Sequence, residues 1–349
     1  MKRREFITLL GGAAAAWPLA ARAQHMERRE FIALVGGGGL LLTAKMRRAR
    51  GQQPAKIPRI GIIDDAPMWQ PFRQALREFG NVEGQNIAYE YRYGEGAPDR
   101  LATVAAELVR LPVDLIATYG TQATHAVKEA TATIPIVMIG VGDPVRAGLV
   151  ESLARPGWNL TGNTVLSPDL GPKRLQILRE AIGNARRVVF LANPDNASNM
   201  AALTETKIAA SEAGTVLIPV EVRAVHDFDP AFAAVVREQP GAVLVSNDLF
   251  HQLHIRHIIE FLAKSRLPGM FQSKESVAAG GFIAYGPNLP DLFRRAAGYV
   301  HRILQGTQPA DLPVEVPTKF DLAVNLKTAK ALGIELAPTF IARADEVIE

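Results

Sequence analysis

The 349-residue sequence has no cysteine. Disulfides, thiol catalysis and lipid attachment through a leader cysteine are therefore excluded. Aromatic residues make up only 7%, and no apolar run reaches the roughly 18 residues a bilayer-spanning helix requires. Excess charge is also scarce, at a formal +4, and it is unevenly placed. Residues 1–56 hold 11 Lys and Arg against 3 acids, whereas the remainder holds 28 against 32. The body of the chain is thus mildly acidic and lacks the electrostatic footprint of a polyanion-binding surface, so no nucleic-acid partner is expected. What the chain does have is 48% hydrophobic residues, ordinary glycine and proline content, and enough length for two domains.

The basic excess belongs to residues 1–56. Arg3-Arg4-Glu5-Phe6-Ile7 precedes a Gly/Ala-rich apolar stretch and Ala21-Arg22-Ala23, a small-x-small site before Gln24. The same Arg-Arg-Glu-Phe-Ile recurs at Arg28–Ile32, ahead of a second apolar stretch and Ala49-Arg50-Gly51. Paired arginines before a moderately apolar run resemble a twin-arginine export signal, here duplicated. The expectation is a leader and linker over 1–56, directed by Arg28 and Arg29, with a mature chain starting between Gly51 and Lys56. Export without a lipid anchor implies a soluble periplasmic protein.

From residue 57 onward, apolar runs alternate with helical spacings. Strands are predicted at 59–64, 86–93, 114–118, 135–141, 187–192, 215–222, 242–246 and 269–272. Helices are predicted between them at 69–79, 100–111, 121–130, 172–182, 197–213, 230–238 and 251–265, and 157–162 reads as a polar bend. Such alternation argues an α/β fold of two doubly wound parallel-sheet lobes, with ligand loops at the carboxyl ends of the strands.

Several motifs then occur in order. They are Val141–Val145 with Ala147–Val150 and Ser152–Gly157, Asn159–Gly162, Asn193–Asn196, Ala279–Gly281 with Tyr285–Pro287, Leu312–Glu315 with Pro317–Phe320, Asn325–Gly333 and Ala342–Val347. Together they resemble the substrate-binding proteins of ABC transporters of the tryptophan/tyrosine-uptake type, across essentially all of 57–349. The sequence departs from that pattern at Asn247 and at Gln272-Ser273. The resemblance implies a type I periplasmic-binding-protein fold with hinged lobes, 57–160 plus 286–312 and 161–285 plus 313–349. It also implies a small-molecule ligand, an ABC permease as partner, a monomer, no cofactor and no enzymatic activity.

Candidate ligand contacts come from chemistry. A carboxylate suits a helix N-terminus with a nearby hydroxyl, and Tyr119-Gly120-Thr121-Gln122 offers one where a strand turns into a helix. Asn193 to Asn196 occupies the matching turn of the second lobe; ordinary capping chemistry explains both turns equally well. An ammonium suits acids at strand ends, where Asp65, Asp143, Asp248 and Glu275 fall, with Asp143 also placed to cap the next helix. An apolar body suits Trp69, Tyr119 and Tyr285. The ligand expected is a small carboxylate, with an aromatic or branched apolar amino acid favoured.

Competing functions lack their signatures. Val145 stands where the third glycine of a dinucleotide fingerprint belongs, and no Walker A or Gly-x-Ser-x-Gly sequence occurs. His251, His254 and His257 recur every third residue, which spreads the outer two around a helix and reads as a solvated face. A regulator would need a helix-turn-helix where the leader stands, and a periplasmic enzyme would need a nucleophile–base pair. The alternatives left open are the sensing component of a signalling system and a periplasmic enzyme.

Overall fold

The computed structural model describes residues 56–63, 68–94, 98–183 and 185–349. The proposed leader and Asp65 lie outside the described residues. The first sheet is built from β1 (Arg59–Ile63), α1 (Trp69–Glu78), β2 (Ala88–Arg92), α2 (Pro98–Arg110), β3 (Leu115–Tyr119), α3 (Thr121–Ala130), β4 (Ile136–Val141) and β5 (Leu160–Thr164). Its order is β2-β1-β3-β4-β5, with every pair parallel. The central strand β3 is buried at every residue, so it reads as a continuous apolar run rather than an alternation. Leu115, Ala117 and Tyr119 face α1, while Ile116 faces the cluster formed with α2 and α3.

The second sheet comes next, through α4 (Ser167–Ile182), β6 (Arg187–Ala192), α5 (Ala197–Glu212), β7 (Val216–Glu221), α6 (Phe228–Glu238), β8 (Ala242–Val245), α7 (Leu249–Leu253), α8 (Ile255–Lys264), β9 (Gly269–Phe271), α9 (Lys274–Ala278) and β10 (Ile283–Pro287). The chain then forms α10 (Leu289–Leu304), and closes with β11 (Phe320–Asn325), α11 (Leu326–Leu332), α12 (Pro338–Ile341) and β12 (Glu346–Ile348). Strand order is β12-β11-β10-β9-β8-β6-β7, parallel throughout except for the antiparallel pair β10–β11.

That antiparallel pair marks a detour between the sheets. After β10 the chain forms α10, whose Leu289, Leu292, Phe293, Ala296, Ala297 and Val300 make one apolar stripe against α1 and the first sheet. It returns along 313–319, where Glu315 exchanges backbone hydrogen bonds with Gly162 and Thr164 of β5. The sheets are thus joined by three crossings: after β5, after β10 and before β11.

Several elements differ from the sequence reading. Residues 160–164, expected as part of a bend and its sequel, form β5. Its polar side chains are satisfied inside the fold, since Thr161 donates to the Leu312 carbonyl at 2.6 Å and Asn163 to the Leu292 carbonyl at 2.9 Å. Helix α4 begins at Ser167 and continues through Pro172. The helix expected over 251–265 breaks at His254 into α7 and α8. Among the described residues no helix is long and apolar enough to cross a membrane.

Candidate functional site

The carboxyl ends of both sheets meet in one place. On the first lobe, β3 ends at Tyr119, and Gly120 turns the chain into α3 with φ +82°, a left-handed value that disfavours a side chain. Strand β4 ends nearby, just before Gly142-Asp143. On the second lobe, β6 ends before Asn193–Asn196 and β8 before Ser246–Asp248.

Direct hydrogen bonds join these ends, so the lobes are closed on one another. The Tyr119 hydroxyl donates to Gln252 Oε1 at 2.8 Å. Thr121 Oγ1 accepts the Gly142 N–H at 3.2 Å and lies 3.2 Å from Ser198 Oγ, which in turn accepts the Asp143 N–H at 3.1 Å. A side chain at Gly142 would have its Cβ 2.4 Å from that of Ser198, so closure needs glycine there. Tyr119, Gly120, Thr121, Gly140, Asn196, Asn247 and Leu249 enclose a cavity with room for about one water.

Behind the cavity the second lobe holds a buried polar network. Asp248 caps α7 by accepting the His251 N–H at 3.3 Å, and also accepts from Asn193 Nδ2 at 3.2 Å and Asn196 Nδ2 at 2.8 Å. Asn196 Oδ1 caps α5 by accepting from the Ser198 N–H at 3.0 Å. Asn199 accepts the Asn193 N–H and the Ser246 hydroxyl, and donates to the Asn247 carbonyl. His251 is fully buried, with Nδ1 3.1 Å from Ser246 Oγ and Nε2 3.0 Å from the Val222 carbonyl. A carbonyl can only accept, so Nε2 carries the proton. Burial holds the imidazole below its ordinary pKa, against the opposing pull of Asp248.

The expected site residues divide into those at the cavity and those elsewhere. Tyr119, Gly120, Thr121 and Asn196 line it, and Asn193 and Asp248 stand directly behind it. Asp143 contributes its N–H, while its carboxylate accepts from Val145 and Arg146 N–H groups and so caps its own turn. Gln122 is half-buried, and its Nε2 is buried without a partner. Trp69 does not offer the stacking face expected of it. It is wholly buried, edge-to-face with Phe72 at 5.2 Å and Phe293 at 5.1 Å, because α1 and α10 close over it. Tyr285 stacks on Phe320 at 5.9 Å, and Glu275 is exposed in the first turn of α9. The histidine repeat is not a solvated face either, since His251 is in the network and the helix breaks at His254.

Sequence reasoning missed Ser198, Asn199, Ser246 and Gln252. It also missed the second of two fully buried formal charges among the described residues, Arg174, which has 2% of its surface exposed, as does Asp248. The residues after an Asn cap were the available signal for Ser198 and Asn199.

Two doubly wound lobes joined by three crossings, closed over a cleft of helix starts and buried amides, define a two-lobed solute-binding protein of the type I periplasmic-binding class. Residues 66–348 match the family described as ABC transporter substrate binding protein, and the chain belongs to that family. Members are extracytoplasmic binding proteins rather than enzymes, serving a small-molecule ligand and a membrane permease. A tyrosine-binding protein of Clostridioides difficile is 24% identical over 266 residues, covering 76% of each chain. A conserved domain protein from Vibrio cholerae is 26% identical with a TM-score of 0.78, covering 84% of this chain and 100% of the other. An ABC domain from Streptococcus pneumoniae in complex with L-Trp is 22% identical with a TM-score of 0.77, covering 83% and 99%.

Proposed function

We propose that this chain is the periplasmic receptor for a free amino acid with an aromatic or branched apolar side chain, which it hands to an inner-membrane permease without chemical change. The observation that carries the reading is the junction of both sets of strand ends at one buried site lined by helix starts, hydroxyls and amides. A cleft of that kind favours a small polar head group over a polymer or a flat cofactor. The tyrosine-binding relative and the tryptophan-bound structure support the ligand class. The hinge bodies in this reading follow the sheets, 57–164 with 289–312 and 167–287 with 320–349, a few residues from the division expected from sequence. Export by the twin-arginine-like leader and action as a monomer belong to the same proposal.

Calorimetry of the mature chain with L-tyrosine, L-tryptophan, L-leucine and D-glucose tests it. Saturable binding of at least one amino acid, recovered unaltered by mass spectrometry, is the expected result. Small-angle scattering then reports compaction on saturation. Binding of glucose alone, or turnover of a bound amino acid, refutes the reading.

A further inference from the structure

Among the described residues, Arg174 has no counter-ion. It lies on α4, and its Nε donates to the Tyr285 carbonyl at 2.7 Å. Its Nη2 is buried and has no hydrogen-bond partner. Among the described residues no carboxylate acts on it; burial lowers its pKa to about 10, with Tyr285 opposing, so it remains charged at neutral pH. An unpaired buried charge is costly to any fold and is retained where something else compensates it.

A second buried orphan accompanies it. Gln272, 6% exposed at the carboxyl end of β9, has a side-chain Oε1 with no partner. The two residues flank Gly286. A Cβ built on Gly286 would stand 3.1 Å from Arg174 Nη2 and 1.9 Å from the main-chain carbonyl oxygen of Gln272, so only glycine lets the guanidinium and the Gln272 backbone approach this strand so closely. No hydrogen bond joins the guanidinium to the Gln272 amide. A charged donor without a partner and a residue whose side-chain acceptor is unused thus both border Gly286, at the strand ends of the lobe that also carries the buried Asp248.

We infer that Arg174 and Gln272 form the head-group subsite of the ligand, the guanidinium taking a carboxylate and Gln272 Oε1 taking the neighbouring ammonium. A zwitterionic amino acid presents this pair of groups two bonds apart, acceptor beside donor. The inference rests on the amino-acid reading above and names which residues recognise the zwitterion. It places the carboxylate at Arg174 rather than at Thr121, whose hydroxyl is already engaged by Gly142 and Ser198.

The test compares wild type, Arg174→Met and Gln272→Leu. The probes are L-tyrosine, L-tyrosinamide, which lacks the carboxylate, and 3-(4-hydroxyphenyl)propionate, which lacks the ammonium. Wild type is expected to bind tyrosine at least about 10-fold more tightly than either analogue. Arg174→Met is expected to lose the preference over the amide, and Gln272→Leu the preference over the propionate. Ligand-free Arg174→Met is also expected to unfold at a higher temperature, because an uncompensated charge has been removed. Retention of the full tyrosine-over-amide preference by Arg174→Met overturns the inference. So does a lower ligand-free unfolding temperature, which would mean that the fold and its ordered water already satisfy the guanidinium. If wild type binds none of the three probes, the amino-acid reading fails for this ligand, and the ligand-free comparison alone decides whether Arg174 awaits an anion.

Discussion

The two lobes meet the cleft with different chemistry. Buried polar residues of the first lobe are threonines and one asparagine, without a charge among them. Their hydrogen bonds stay mostly within the lobe: Thr118 with Thr124, Thr124 with the Gly120 carbonyl, Thr164 with the Val141 carbonyl. The second lobe buries Asn193, Asn196, Asn199, Ser246, His251 and the charges Arg174 and Asp248. A side chain whose polar atoms are committed to its own backbone shapes a wall. A lobe that buries a carboxylate held by amides, and a guanidinium with a free donor, can discriminate charge. Under the head-group assignment proposed above, the first lobe supplies a closing surface and the second carries charge recognition.

The comparison breaks most visibly at Trp69, the first-lobe aromatic enclosed by Phe72 and Phe293. Trp69→Ala should destabilise the protein by about 3–5 kcal/mol, as large core truncations do. Urea unfolding measures that loss. Titration of the variant under conditions where it is fully folded should give near-wild-type affinity for L-tyrosine, because the ring is wholly buried against Phe72 and Phe293. A large affinity loss in folded protein would give the first lobe a recognition role and blur the contrast.

On the second lobe the corresponding change is Asp248→Ala. It leaves Asn193 Nδ2, Asn196 Nδ2 and the His251 N–H without their shared acceptor, each a buried donor. Roughly 2–4 kcal/mol of stability should be lost, from the penalty of about 1–3 kcal/mol for an unsatisfied group and some relaxation. Affinity should fall with it. Asp248→Asn keeps one acceptor oxygen and should cost less in both assays, which separates geometry from charge.

His251 sharpens the contrast through pH. Its folded-state pKa lies below the ordinary 6.5, mainly because burial disfavours the imidazolium. The unfolded chain therefore binds the extra proton more readily, and stability should decline as pH drops through about 6.5 and below, until the folded-state value is reached. Above that window the group contributes no pH dependence. Thermal midpoints measured from pH 7.5 to 5 should fall in wild type and fall less steeply in His251→Gln. The carboxylates Asp227 and Asp291, whose pKa values are lowered, lose their contribution as pH falls below their ordinary 3.8, which lies under the pH 7.5 to 5 range of that measurement.

How much of this was legible in the sequence depends on how local the cause is. Strands β1, β3 and β4 announce themselves because both faces are covered and nearly every residue is apolar. Strand β5 does not, because Leu160-Thr161-Gly162-Asn163-Thr164 is buried through polar bonds to Leu312 and Leu292, far along the chain. Tyr119 to Thr121, Asn193, Asn196 and Asp248 could be placed at the strand ends because strand-to-helix turns carry a residue signature. Trp69 was misplaced because its neighbours in sequence are polar and proline-rich while its neighbours in space are Phe72 and Phe293. Arg174 escaped notice because Lys173-Arg174 reads as a solvated helix face until β10 is laid against it. Ser198 was hidden by its ordinary position just after a helix cap.

Ser198 gives the smallest expected effect and the most direct measure of closure. Its hydroxyl is the second lobe's contact to both Thr121 Oγ1 and the Asp143 N–H. Because Thr121 already accepts from Gly142, its own proton is free to go to Ser198, which then serves as acceptor twice. Ser198→Ala removes that acceptor but leaves its neighbours within reach of water once the lobes part. The loss should be about 0.5–1.5 kcal/mol, the net value of an ordinary hydrogen bond. It should fall on the closed state alone, because the open state does not make the contact. The variant should therefore keep the wild-type unfolding midpoint without ligand under conditions that favour open lobes, bind L-tyrosine a few-fold more weakly, and release it faster. Stopped-flow dissociation reads the last quantity. An unchanged release rate would mean that the Ser198 contact is incidental, and that closure is carried instead by Tyr119 and Gln252 at the other side of the cavity.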